Sequence, residues 1–279
     1  MRPKGEGRRR RERRVALVTG ASSGIGEAFS RALAREGFNL VLVARRRRRL
    51  AALARELSER HGVVSEPFAQ DLSTAAGLHR VADRIARERR LELLVNDAGL
   101  GAFERFAGSE WSREESEIRV NILAVVRLVH AALPQMIRRG RGAVINVSST
   151  AAFAPSPNFA VYGATKAFLN SFTEALHVEL RGTGVQVQAL CPGLTHTEIF
   201  VKAHADTSGL PDFLWMEPGE VVAESLAALA RGTVLCVPGL GNRTLANLAR
   251  MLPHAASSRI AELLIRSVNT SGKEERGGR

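Results

Sequence analysis

Val15-Ala16-Leu17-Val18-Thr19-Gly20-Ala21-Ser22-Ser23-Gly24-Ile25-Gly26 is the stretch that decides the fold. Four apolar residues run into a glycine-rich turn, and Glu27 to Glu36 continues with helical period. Strand, tight turn and helix in that order open a nucleotide-binding α/β unit. Gly20 permits the turn, Gly24 lets backbone approach a pyrophosphate, and Gly26 lets the helix lie close on the strand. A helix that starts there offers N–H groups and a positive dipole end to phosphate. The glycines are spaced G-x-x-x-G-x-G rather than G-x-G-x-x-G.

The same alternation continues outward. Apolar runs at 15–18, 39–43, 91–95, 143–147 and 185–190 are short, continuous and β-branched, as parallel strands buried on both faces require. Val63 to Phe68 and Thr233 to Val237 are weaker strands. Helical patterns cover 24–36, 46–60, 74–89, 112–138, 160–181 and 219–231. This predicts a doubly wound, Rossmann-like α/β domain over 15–241, with ligand at the carboxyl ends of the strands. Residues 195–217 mix Phe200, Phe213, Leu214, Trp215 and Met216 with polar residues and show no regular strand. They are expected to form a lid. From 242 to 268 two amphipathic stripes are broken at Pro253: Leu245, Leu248, Met251 and Leu252, then Ile260, Leu263, Leu264 and Val268. Such an extension covers the core or a subunit neighbour; a basic amphipathic helix can also lie on a membrane surface. Residues 269–279 read as a disordered tail.

Composition bounds the rest. The net charge is +12, and residues 1–14 hold eight Arg/Lys and two Glu. That tail is disordered on composition and is read as a solvated extension. A tether to nucleic acid or anionic membrane is the competing reading. No aromatic residue interleaves the tail to stack on bases, so no specific nucleic-acid partner is expected. No separate apolar segment with a cleavage site follows the arginines, so no signal peptide is expected. No stretch approaches the roughly 18 uncharged apolar residues of a membrane span. A cytoplasmic protein is expected, with Cys191 and Cys236 as buried small side chains in a reducing compartment. Seven scattered histidines lack ligand spacing, so no metal site is expected.

The chemistry lies in three further stretches. Tyr162, the one tyrosine of the chain, and Lys166 sit at i and i+4 of a helical pattern and share a face. An ammonium there favours the phenolate and lowers a pKa that is ordinarily about 10. Asn96-Asp97-Ala98-Gly99 ends one apolar run, and Val144 to Val147 leads into Ser148 and Ser149. The T-G-x-x-x-G-I-G of Thr19–Gly26, the N-x-A-G of Asn96–Gly99, Ser149, Tyr162-x-x-x-Lys166 and Pro192-Gly193 resemble the short-chain dehydrogenases/reductases. The resemblance runs in register from about Arg14 to about Gly239. Asp97 departs from it, since the family usually has a second asparagine there.

In a dinucleotide fold the residue about 20 positions after the glycines selects the ribose. Val41-Leu42-Val43-Ala44-Arg45-Arg46 offers no acid, and a guanidinium pairs with a 2′-phosphate. NADP(H) is therefore expected, with Arg45 leading and Arg46 or Ser22 assisting. The resemblance implies the remaining roles. Gly20, Ser22, Ser23, Gly24, Ile25 and Gly26 would cradle the pyrophosphate. Asp71 with Leu72 would contact the adenine, and Asn96, Ala98 and Gly99 would wall the adenosine ribose. Tyr162 would be the general acid. Lys166 would lower its pKa and bind the nicotinamide ribose, and Ser149 would orient the substrate oxygen. Asn121 would hold a water that links the lysine to solvent. Pro192, Gly193, Thr195 and Thr197 would cap the nicotinamide, and His196 is left unassigned. The expected activity is NADPH-dependent reduction of a ketone or aldehyde, on an apolar acyl or ring substrate, by a homodimer or homotetramer. The alternative is a non-catalytic NADP-binding sensor or scaffold.

Overall fold

A computed structural model describes residues 13–155, 157–198 and 215–251, together with the backbone of 205–206 and 269–270. In chain order the elements are β1 (Val15–Thr19), α1 (Gly24–Arg35), β2 (Asn39–Ala44), α2 (Arg47–His61), β3 (Ser65–Ala69), α3 (Ala75–Arg87) and β4 (Leu91–Asn96). Then follow α4 (Trp111–Arg139), β5 (Gly142–Val147), α5 (Ala160–Glu179), β6 (Val185–Leu190), α6 (Pro218–Ala230), β7 (Leu235–Cys236) and α7 (Leu240–Met251). Seven strands form one sheet in the order β3-β2-β1-β4-β5-β6-β7, and every pairing is parallel. The order reverses between β1 and β4. Ligands in open α/β sheets bind at that switch point, outside the carboxyl ends of the strands.

The central strands feed two cores, which is why their sequences are largely apolar. Ala16 and Val18 of β1 join Phe29 and Leu33 of α1, Leu50 and Leu57 of α2 and Val222 of α6 on one face. Val15 and Leu17 join Val81 and Ile85 of α3, Leu128 and Met136 of α4 and Leu169 of α5 on the other. Helix α4 is long and apolar enough to cross a membrane by composition. Its stripe of Val120, Ala124, Val125, Leu128, Val129, Ala132 and Met136 is instead buried against the sheet.

Differences from the sequence reading are local. The expected uninterrupted helix at 112–138 contains a π-helical turn at Arg119–Ala124. The strand expected at 233–237 pairs only over Leu235–Cys236, and β3 is shifted to Ser65–Ala69. Ala205–Asp206 pairs antiparallel with Asn269–Thr270, where the sequence showed neither strand. Of the first C-terminal stripe, Leu245 and Leu248 lie on α7 about half exposed. The second stripe, Leu252 with Pro253, the lid residues Phe200, Phe213 and Leu214, and the tail 1–12 lie outside the described residues.

Candidate active site

Thr19 closes β1 against β4. Its hydroxyl donates to Val95 O and accepts the N–H groups of Asp97 and Ala98, both at 3.0 Å. Beyond it Gly20 and Gly24 take left-handed φ values of +69° and +58°, which residues with a side chain rarely adopt. A Cβ on Gly20 would stand 2.6 Å from Asp97 Oδ2, and one on Gly24 would stand 3.0 Å from Thr197 Cγ2. The loop is thus a backbone-lined cradle between the end of β4 and the segment after β6. Ser23 is the N-cap of α1, and Ile25 is buried beneath the loop. Unpaired N–H groups at a helix start suit a pyrophosphate, so the donor set fits a dinucleotide.

The arginines divide their work. Arg46 donates from Nε to Ser22 Oγ at 3.0 Å, from Nη2 to Ser23 Oγ at 2.6 Å and from Nη1 to Glu198 Oε2 at 2.6 Å. Arg49 donates to the other Glu198 oxygen at 2.5 Å. Arg46 therefore braces the loop against the segment after β6, while Arg45 is exposed and makes none of these contacts. Ser22, Thr197, Glu198 and Trp215 line a cleft of about 830 Å³ that runs along α1 and α2. Nothing in the sequence pointed to Glu198, whose arginine partners are 152 and 149 positions away.

The other expected cofactor residues have intramolecular partners of their own. The Asn96 carboxamide donates to Asn146 Oδ1 at 2.9 Å. A Cβ on Gly99 would lie 3.6 Å from Lys166 Nζ and 3.5 Å from Asn121 Oδ1, on the lysine side of the site. Ala98 packs against the second core. Asp71 Oδ1 accepts from the Ser73 N–H and hydroxyl, and Leu72 is buried. Pro192 O accepts the Thr150 N–H at 2.9 Å, and Gly193 faces Asn242 of α7 with no room for a Cβ. Thr195 is buried, its hydroxyl donating to Gly193 O. His196 is exposed and stacks on Trp215 at 4.8 Å.

Tyr162, Lys166, Ser149 and Asn121 do converge. Lys166 is buried, and its Nζ lies 5.4 Å from the Tyr162 ring centroid and donates to Val147 O at 2.8 Å. Ser148 donates to Lys166 O, which fixes α5 against the end of β5. Ser149 Oγ accepts the Ala151 N–H at 3.1 Å and hydrogen-bonds Tyr162. With Ala151 donating to it, Ser149 can direct its own proton to the tyrosine oxygen, leaving the phenol proton for another acceptor. Asn121 donates to Leu100 O and Thr165 Oγ1 and accepts from the Leu100 N–H. These bonds hold the loop after β4 from within the π turn, a distortion that recurs at functional sites.

Burial sets the electrostatics of this cluster. Burial pushes the Tyr162 phenol up to about 12; the Ser149 hydrogen bond pulls it down, and Glu117 and Asp97 push it further up. Burial brings Lys166 down to about 8, against the opposing pull of Asp97 and Glu117. Two carboxyls from other elements share the lysine's charge.

Glu117 went unassigned from sequence, although it lies one helical turn before Asn121 on the same face of α4. It is 3% exposed. Its Oε2 accepts the Ala102 N–H at 3.3 Å, and its Oε1 has no partner among the described residues. Burial first, then Glu114, raises its carboxyl from 4.5 to about 7. An acid with a raised folded-state pKa loses stability as pH climbs from its unfolded value through its folded one. Glu117→Gln should therefore match the wild type near about pH 4 and exceed it by roughly 3 kcal/mol near about pH 8. Urea denaturation at both pH values measures this.

The sequence profile described as short chain dehydrogenase matches residues 14–208. The chain belongs to the short-chain dehydrogenase/reductase family. Sulfoacetaldehyde reductase 2 of Chromohalobacter salexigens is 36% identical over 221 residues, 77% of this chain and 86% of that protein. Among solved structures, a short-chain dehydrogenase from Sphingobium yanoikuyae in complex with NADPH matches with a TM-score of 0.79 at 34% identity, covering 94% of this chain and 99% of that one. The bulky-bulky ketone specific alcohol dehydrogenase from Comamonas testosteroni matches with a TM-score of 0.75 at 29% identity, covering 95% and 99%. Membership makes this enzyme a dinucleotide-dependent oxidoreductase of alcohol and carbonyl groups.

Proposed function

We propose that this enzyme uses NADPH to reduce a ketone or aldehyde to an alcohol, reversibly, on an apolar acyl or ring substrate. The observation that carries the reading is the convergence of Ser149, Tyr162 and Lys166 beside the glycine cradle at the sheet's switch point. NADPH, when bound, supplies the hydride. A carbonyl oxygen that takes the place of the Ser149–Tyr162 hydrogen bond accepts from both hydroxyls. Tyr162 gives that oxygen its proton. Lys166, buried next to Gly99, is placed to hold the nicotinamide ribose and to stabilise the phenolate that proton transfer leaves. Tyr162 is itself held in place. Gly101 packs on its ring, a Cβ there falling 3.0 Å from Cδ2, and the Asn121 clamp on Leu100 fixes that glycine.

Preference for NADPH over NADH is supported by the missing acid after β2, by exposed Arg45 next to the Arg46–Ser22 pair, and by the NADPH in the Sphingobium relative. Fluorescence titration should give a lower Kd for NADPH, and Arg45→Asp should reverse the order. Equal constants for the two cofactors in the wild type would overturn the assignment. An apolar substrate is supported by the aromatic neighbours of the acid. Phe159 lies 5.6 Å from the Tyr162 ring, and Phe103 packs on Phe159 at 4.6 Å. A homodimer or homotetramer is supported by exposed apolar residues on α4 and α5. Leu123 and Phe168 are 49% and 39% exposed, and Phe168 stacks on Phe172. The two buried free cysteines accord with a cytoplasmic location.

A further inference from the structure

Asp97 stands directly against the phosphate cradle. Its Oδ2 lies 2.6 Å from the places a Cβ on Gly20 and on Gly26 would take. A carboxyl can lie so close to the loop only because both residues are glycines. It accepts the Gly26 N–H. Gly26 is the third residue of α1, so this N–H is one of the four at the helix start that have no intrahelical partner. The cradle that would receive a pyrophosphate thus has one of its donors taken by an acid of its own chain, and that acid's charge has the same sign as the ligand.

Lys166 and Tyr162 of α5 face Asp97, and Glu117 of α4 faces the same lysine. The glycine loop presents to it the backbone of Gly20 and Gly26. Burial raises the carboxyl from 3.8 to about 7, against the pull of Lys166 and the Gly26 N–H. A second polyanion arriving over the loop raises the cost of ionisation further.

We propose that the Asp97 carboxyl controls the affinity for NADP(H) by its charge. Protonated, it leaves the cradle neutral and binding is strong. Ionised, it repels the phosphates and binding weakens. The inference rests on the reading that the glycine loop holds NADP(H). Linkage then requires that NADPH binding take up protons from solution at neutral and higher pH, because the ligand favours the protonated carboxyl.

Calorimetric titration of the intact enzyme with NADPH tests this, across about pH 6 to about 8.5 and in two buffers of different ionisation enthalpy. One pKa unit of ligand-induced shift corresponds to about tenfold in affinity. Asp97→Asn should therefore bind NADPH about tenfold more tightly than wild type near about pH 8.5, and equally near about pH 6. The 2′-phosphate titrates near about pH 6 itself, but it does so identically in both proteins. NADH, which lacks it, should show the same difference between variants. Near about pH 7 the wild type should take up more protons on binding than Asp97→Asn does, by a sizeable fraction of one per site. Superimposable affinity curves, or equal proton uptake by the two proteins, overturn the inference and leave the cofactor reading standing. A wild type that binds no NADPH at any pH overturns both.

Discussion

Tyr162→Phe should lower turnover by about a thousandfold while changing the Kd for NADPH by less than about twofold. The substitution keeps the ring, and the ring is what the surroundings hold: Gly101 packs on it and Phe159 lies beside it. It removes the one hydroxyl placed both to bond Ser149 and to give a proton to a substrate oxygen. Ser149 survives and still accepts from Ala151, so an oriented substrate without an acid is the state created. Stopped-flow reduction and fluorescence titration separate the two quantities. Retention of more than about a tenth of wild-type turnover would mean that Tyr162 is not the acid.

Lys166→Ala should damage both quantities, lowering turnover by about a hundredfold and weakening NADPH binding by about tenfold. The side chain is buried and donates to Val147 O, so truncation opens a cavity as well as removing a charge. Lys166→Met fills that cavity and isolates the charge. In both variants Asp97 and Glu117 lose the cation that pulls their pKa values down. Their carboxyls should then stay protonated to higher pH. The stability lost as pH rises through those values should shift upward with them, read by thermal melts across pH. A Met variant with normal cofactor affinity would show that the ammonium does not contact the bound nucleotide.

The scaffold was legible because its signals are local. β1 and β2 are nearly continuous apolar runs and β4, β5 and β6 are largely apolar, and helices filled the intervals with period 3.6. Gly20 and Gly24 could be assigned a backbone task because only a turn of this kind needs them in that order. The parts that were not legible depend on atoms brought together across the chain. The brace from Arg46 to Glu198 spans 152 positions, and no periodicity encodes it. The presence of positive charge after β2 was readable, but not its division, in which Arg46 turns back onto Ser22 and Ser23 and Arg45 stays exposed. Asn121 was placed in a helix correctly, yet the π turn that lets its carboxamide clamp Leu100 leaves no mark in composition. The surroundings of the Tyr162 phenol were the least legible. Spacing showed Lys166 one turn away, and a lone cation lowers a phenol's pKa. Burial, Asp97 just after β4 and Glu117 of α4 push the other way, and neither burial nor those acids follows from Y-x-x-x-K.

The most direct test of the reductase assignment is NADPH consumption by the full chain against a panel of short and long aliphatic aldehydes, bulky aryl ketones, ring ketones and 3-ketoacyl thioesters. Product alcohols are identified by mass spectrometry. The expected result is consumption coupled one-to-one to alcohol formed from apolar carbonyl compounds, lost in Tyr162→Phe. Saturable NADPH binding with no consumption against any member of the panel would contradict it and point instead to a non-catalytic nucleotide-binding protein.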